Sequence, residues 1–490
     1  MLTRSAGRSD GVALLVACLV IGVLPASAAA QGSGSPAGIT VTGSLRTRLE
    51  AWNWFGENPD GDYVYPGSLF RVAAGQTRKS IDWQAELAVP FIFALPEGAV
   101  VAGAQGALGM GGNYYAANDN ATNPANAFLK QAFVRVKNVG GVAGQSLTFG
   151  RTEFVDGTEV IPKDASLAAL KRDRIAHRLL GNFIFTHVGR SFDGARYVLD
   201  QSARNITIVA ARPTEGVFQV DGWRDLDITV VYGALTRQTG GSNDAGEWRA
   251  FGLWYRDSRN AVVKTDNRPL AVRRADTDPI NVGTFGGHYL RLVKADAGSL
   301  DLLLWAAGQV GAWGTSDHRG GAFSAEAGWQ PSAISTSWIR GGYSYATGDG
   351  NPADETHGTF FQGLPTPRVY ARFPFFNLMN IRDVFGELIF RPSAKLTVRA
   401  DAHALRLADA NDSWYQGGGA FEPDTFGYAG RPSGGSTDLA ELYDASGDFA
   451  FSRRFIVSGY YGFAEGGAVP RAIYRNGAGQ FGYVEATVRF

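Results

Sequence analysis

The sequence predicts an all-β chain, a single transmembrane antiparallel up-and-down β-barrel of about eighteen strands with one short helical insertion. Three observations carry that prediction. Apolar and polar residues alternate with period 2 along segment after segment. The composition favours turns and pleated surfaces: glycine, at 64 of 490 residues, is about twice its usual share, and aromatics reach 12% while charged residues fall to 19%. No stretch after the N-terminal leader reads as a helix able to span a bilayer; the longest uncharged run, 98–118, is broken by glycines.

Arg4 and Arg8 precede an apolar run from Gly11 to Leu24, and Ala26-Ser27-Ala28 or Ala28-Ala29-Ala30 supplies a small-residue cleavage pattern. Residues 1–30 therefore read as a secretory signal peptide and 31–490 as the barrel domain. Cys18, the only cysteine, leaves with the leader, so the exported chain has no thiol nucleophile, thiolate metal site or disulfide. The 46 basic and 46 acidic side chains balance, which argues against nucleic acid as a partner because no excess charge is left to neutralise phosphates.

The first strand signal runs from Ile39 to Glu50, with odd positions apolar or small and even positions polar, ending in Arg46, Arg48 and Glu50. Ile81, Trp83, Ala85, Leu87 and Val89 alternate with Asp82, Gln84 and Glu86 in the same way. So do the apolar and charged residues of 396–404, and Val484, Ala486, Val488 and Phe490 against Glu485 and Arg489. Weaker alternation marks 128–137, 146–153, 194–200, 205–212, 226–236, 247–257, 286–294, 299–312, 321–330, 334–346, 381–391, 438–450 and 454–465. Runs of this length cross a bilayer at a tilt, and bacterial barrels favour an even strand number. Among the cations, 38 are Arg and 8 Lys, the choice for pairing with or binding carboxylates. A closing Phe490 on an alternating strand resembles the aromatic by which outer-membrane barrels are recognised for insertion.

Several segments together resemble the alginate export family of outer-membrane barrels. They are Leu147-Thr148-Phe149-Gly150-Arg151 with Ser191-Phe192-Asp193-Gly194-Ala195-Arg196, the run from Gly342 to Pro352 with Leu364-Pro365-Thr366, and Asn380-Ile381-Arg382-Asp383 with Arg399-Ala400-Asp401-Ala402-His403. The resemblance implies an eighteen-stranded barrel whose lumen is narrowed by Arg and Lys opposed by Asp and Glu, in the bacterial outer membrane, with anionic alginate as the solute of the member that names the family. Val155–Phe183 departs from the family pattern, and Phe373, Phe375 and Phe376 replace the polar residues expected after Thr366.

A wide barrel encloses an aqueous channel whose selectivity is set by charge at its narrowest point, with no catalytic group and no cofactor. By the alternation, Arg46, Arg48, Arg135, Lys137, Arg196, Arg399 and Arg489 face inward with Asp82, Glu86, Asp301, Glu326 and Asp401; Arg151 and Asp193 join the lining set. The one segment without alternation, 164–181, reads as a helix capped by Asp164 or Ser166 and ended by Gly181. It carries Lys171, Arg172, Arg174 and Arg178 and is expected either to constrict the lumen or to lie as a solvated helix in a surface loop.

The six histidines have no metal-ligand spacing, and there is no Gly-x-Ser-x-Gly elbow or phosphate loop, so no enzyme is expected. Asp349, Asn351, Asp354 and Glu355 offer oxygens for a loop Ca²⁺ without matching a known loop spacing. The expected function is an outer-membrane channel passing anionic solutes, an acidic polysaccharide or small carboxylates, by passive diffusion. Its partners are the lipid and the barrel-insertion machinery, with a periplasmic export partner left open. The alternative is a carbohydrate-active enzyme or binding protein on a β scaffold.

Overall fold

A computed structural model describes residues 38–490 apart from 58–59, 203, 242–243 and 335. The leader read at 1–30, with Cys18, lies outside them. Eighteen antiparallel strands close into one barrel. The first six are β1 (Thr40–Asn53), β2 (Asp62–Thr77), β3 (Ile81–Ile92), β4 (Phe128–Lys137), β5 (Gln145–Thr152) and β6 (Phe192–Gln201). Then follow β7 (Arg204–Pro213), β8 (Ile228–Gly240), β9 (Asp244–Asp257), β10 (Ile280–Ala295), β11 (Gly298–Trp313) and β12 (Ser316–Pro331). The wall is completed by β13 (Ser337–Ala346), β14 (Ile381–Ser393), β15 (Leu396–Leu407), β16 (Asp438–Ala450), β17 (Phe455–Gly466) and β18 (Ala478–Arg489). Pairing of β18 with β1, from Ser44 opposite Arg489 to Asn53 opposite Gln480, closes the ring and leaves no free edge.

The alternation locates every barrel strand except β2. That strand is largely apolar on both faces: Val64, Phe70 and Val72 point outward, while Tyr63 and Tyr65 meet a loop folded into the barrel, Tyr63 donating its hydroxyl hydrogen to the carbonyl of Leu108 at 2.6 Å and Tyr65 lying against Tyr114, and Leu69 faces the lumen. Elsewhere the outer face is apolar and open to its surroundings, with Phe285, Leu300 and Val310 more than half exposed. Among the described residues no helix is long and apolar enough to cross a membrane; the chain crosses with strands.

Connections differ sharply between the two rims. On one, turns such as 296–297 and 394–395 are tight; on the other, 93–127, 153–191, 258–279, 347–380 and 408–437 are long. Among the described residues four short helices sit in the connections, α1 (Gly109–Ala117), α2 (Ala165–Arg174), α3 (Leu270–Ala275) and α4 (Ala468–Ile473), so the expectation of a single helical insertion is corrected. The phenylalanines of the 347–380 loop explain themselves here. Phe373 stacks on Trp54 at 6.0 Å and Phe375 meets Trp414 at 4.4 Å, in an aromatic core that fills the barrel near its loop rim.

Candidate functional site: the lumen

The lumen is shaped by two loops folded into it. Asp164 caps α2 by accepting from the backbone N–H groups of Ser166 (2.9 Å) and Leu167 (3.2 Å), and its other oxygen takes Lys294 Nζ at 2.6 Å from the tight-turn end of β10. From there α2 runs up the inner wall. Lys171 Nζ donates to Glu247 at 2.5 Å, and Arg174 makes two bonds of 2.9 and 3.0 Å to Glu326. Glu326, wholly buried, also receives Arg340 at 3.1 Å and Arg178 at 3.4 Å. The basic face of the helix is thus matched to carboxylates of β9 and β12. The helix ends at Arg174 rather than at Gly181, because the chain beyond it is claimed by tertiary bonds: Asp156 accepts from the N–H groups of Leu179 and Leu180, and Gly181 pairs with Leu364 of the 347–380 loop.

The chain then crosses to the opposite wall. Arg46 of β1 donates to the carbonyl of Ile184 at 2.6 Å and to that of Thr186, and Lys130 of β4 reaches the carbonyls of Val188 (3.1 Å) and Arg190 (3.2 Å). The 153–191 loop therefore bridges the barrel from β9–β12 to β1–β4, and the open space lies to one side.

That space is a cavity of about 330 Å³ bounded by β14–β18, β1 and the two loops. Its wall carries Glu387, Asp401, Asp444 and Asp448, while Arg368 and Arg372 enter from the 347–380 loop. Arg48 is fixed: its guanidinium lies between the rings of Phe185 (4.4 Å) and Tyr483 (4.5 Å) and bonds Glu485 at 2.8 Å. Among the described residues Arg368 and Arg372 have no carboxylate within ion-pair distance. Arg368 donates instead to the carbonyls of Phe373 and Phe376, both at 2.5 Å, and Arg372 lies 5.5 Å from the Tyr460 ring. Toward the tight-turn rim the cavity meets a vestibule of about 600 Å³, the two sharing Arg46, Ile184 and Glu485. Toward the loop rim, past Arg368, only about 30 Å³ remains among Trp54, Met110, Phe183 and Phe218, room for a few waters at most.

A closed barrel whose lumen is narrowed by loops, with Arg opposed by Asp and Glu, is what the sequence segments led one to expect, and residues 104–472 match the family model described as alginate export. The chain belongs to the alginate export family. Three solved structures share the fold of this alginate export protein. OccAB2 of Acinetobacter baumannii is 8% identical with a TM-score of 0.59, covering 93% of this chain and 98% of that one. OccK2 (OpdF) of Pseudomonas aeruginosa, solved in complex with glucuronate, is 8% identical with a TM-score of 0.55 over 92% and 96%. OpdK of the same organism, solved with vanillate, is 9% identical with a TM-score of 0.54 over 92% and 98%. No curated protein matches the sequence. This alginate export protein is thus a porin-like barrel of the bacterial outer membrane, kin to transport proteins rather than enzymes, with its tight turns in the periplasm and its long loops outside the cell.

Arg46, Arg48, Arg399 and Asp401 line the cavity; Arg46 and Arg489 line the vestibule; Arg135 and Arg196 face the lumen on β4 and β6. Of the α2 cations Arg174 lines the cavity, Lys171 is buried in its ion pair, and Arg172 is exposed and paired with Asp173 at 2.7 Å; Arg178, just beyond the helix, is buried against Glu326. Arg151 and Asp193 are corrections. They stand opposite one another on the outer face, on the side of Phe149 and Ile208, joined by bonds of 2.6 and 2.7 Å at the loop ends of β5 and β6. Their charges are tolerated there because the strand ends rise into the headgroup region, where carbonyls of Leu129, Gly222 and Trp223 complete the shell of Arg151. The side-chain oxygens of Asp349, Asn351 and Asp354 accept backbone N–H bonds within their loop, and no group of three metal-ligating side chains forms among the described residues. Sequence reasoning missed Arg368, Arg372 and Asp444. The first two follow Pro367 in an irregular loop and carry no periodic signal.

The lumen-crossing segment contains His177 and His187, and burial pushes both down to about 4. A free histidine titrates near 6.5. Between those values the released loop binds protons that the docked loop refuses, so docking weakens as pH falls through the window. Asp156 opposes them: burial lifts it to about 6, so below that pH the docked loop keeps a proton that the free loop gives up. Two histidines outweigh one aspartate. Amide exchange over 175–190, corrected for its intrinsic rate, should be faster at pH 5 than at pH 7; equal protection at both would show that the histidines do not control docking.

Proposed function

We propose that this protein is a passive outer-membrane channel for anionic solutes, an acidic polysaccharide or small carboxylates, and that they travel the off-centre path from vestibule to cavity past Arg46, Arg48 and Arg372. One observation carries the reading: Arg372 and Arg368 project positive charge into the narrow cavity and, among the described residues, neither is locked in an ion pair. In a low-dielectric wall such charge concentrates anions, and a planar guanidinium matches a carboxylate edge. Asp401, Asp444 and Asp448 across the cavity keep the hold weak enough for release. The glucuronate held by OccK2, a protein of the same fold, supports a uronate as the solute class. Lipid and the barrel-insertion machinery are the partners in assembly.

Planar-bilayer recordings test this. Arg372→Glu should lower the anion-to-cation permeability ratio by about tenfold and abolish block by uronate oligomers. Arg399→Glu should do less, because Asp448 already pairs with Arg399 at 3.0 Å. Reversal potentials identical to wild type in the Arg372 variant would remove this residue from the filter and the anion path with it.

A further inference from the structure

On the wall of β4–β6 the lumen carries basic residues that the conduit does not use. The strand register sets Arg135 opposite Thr148 and Thr148 opposite Arg196, all facing inward. Neighbouring strands lie ~4.8 Å apart, so the two arginines spring from positions on either side of Thr148 in one row across the sheet. Asp82 is the local carboxylate, but it bonds Lys137 at 2.8 Å and stands 3.8 Å from Arg135. Arg196 has no ion pair or hydrogen bond among the described residues, and its Nε is buried without a partner. Phe154, Phe192 and Val209 close over it from the loop side. By contrast Arg48, Arg71, Arg340 and Arg399 each hold a carboxylate. Asp82 is thus shared between Lys137 and Arg135 while Arg196 has no carboxylate, so two like charges across one intervening residue are left short of negative charge, a deficit that an anion from outside the chain would fill.

We propose that Arg135, Thr148 and Arg196 form a second anion site, a lateral subsite on the periplasmic side of the lumen that takes a carboxylate group of an acidic solute. The two guanidinium edges and the Thr148 hydroxyl supply donors for both carboxylate oxygens. The subsite is separated from the main cavity by the lumen-crossing loop, so it loads solute at the mouth and does not gate passage. As a loading site it rests on the anion-channel reading; as an anion site it stands alone.

Crystals of the detergent-purified protein soaked in bromide would separate the two. Anomalous density beside Arg196 and Thr148, lost in Arg196→Gln, is the expected result. Bromide at Arg372 but absent from the row overturns the subsite and leaves the conduit; bromide at the row alone upholds the subsite and counts against the conduit; bromide at neither overturns the subsite. In bilayers, Arg196→Gln and the more exposed Arg135→Gln should each slow glucuronate entry from the periplasmic face by about tenfold, with entry from the loop face unchanged. An equal change from both faces, or none from either, also overturns the proposal.

Discussion

Excising residues 157–178 and joining the ends through a short Gly-Ser linker will raise single-channel conductance several-fold and collapse anion preference in the same step. The two effects have separate causes. An eighteen-stranded barrel encloses more space than side chains fill, and here it is the crossing loop that takes up that space. The excised segment also carries Lys171, Arg174 and Arg178, whose loss leaves Glu247 and Glu326 facing water with fewer cations to balance them. A wider pore with unchanged selectivity would show that the helix fills the lumen without setting its charge. Unchanged conductance would mean that in the membrane the loop does not sit inside the barrel at all.

Glu326→Leu is expected to be the most damaging single substitution in the chain. Arg174, Arg178 and Arg340 converge on that one carboxylate, and all are buried. Removing the shared partner of buried cations costs ~3–5 kcal/mol, because the charges left behind stay desolvated. The urea midpoint in detergent, followed by tryptophan fluorescence, should drop accordingly. Glu326→Gln, which keeps one acceptor oxygen, should lose less. Adding Arg340→Met to the leucine variant should recover part of the loss, since apolar replacement of a whole buried ion cluster is often neutral. A leucine variant as stable as wild type would falsify the hub.

Most of the barrel was legible from period 2 because a lipid-facing surface and a watery one impose opposite demands on adjacent residues. β2 was hidden because the loop-side half of its inner face, with Tyr63 and Tyr65, meets protein instead of water, and Leu69 and Ala73 give the other half an apolar lining. The start of α2 was legible in Asp164, a local cap, and its end was not, because Asp156 and Leu364 claim the backbone from a distance. Followed strictly, the period puts Arg151 beside Phe149 on the outside, against its place in the expected lining set. The cavity's free cations were illegible for a related reason. Arg368 and Arg372 owe their position to a curl of backbone held by Arg368's own bonds to Phe373 and Phe376, which no spacing encodes.

The seam between β1 and β18 bears on biogenesis. Gly43 and Phe490 exchange backbone hydrogen bonds of 2.9 and 3.0 Å, and the Phe490 ring occupies the place a Cβ on Gly43 would need. Two ribbons separated by nearly the entire polypeptide must find each other before the cylinder is sealed, the most non-local event in its assembly. Until then both carry unsatisfied amides and carbonyls, an open template for mispairing with other nascent chains. Any bulk added at Gly43 would therefore strike at that late step, where the first and last ribbons meet.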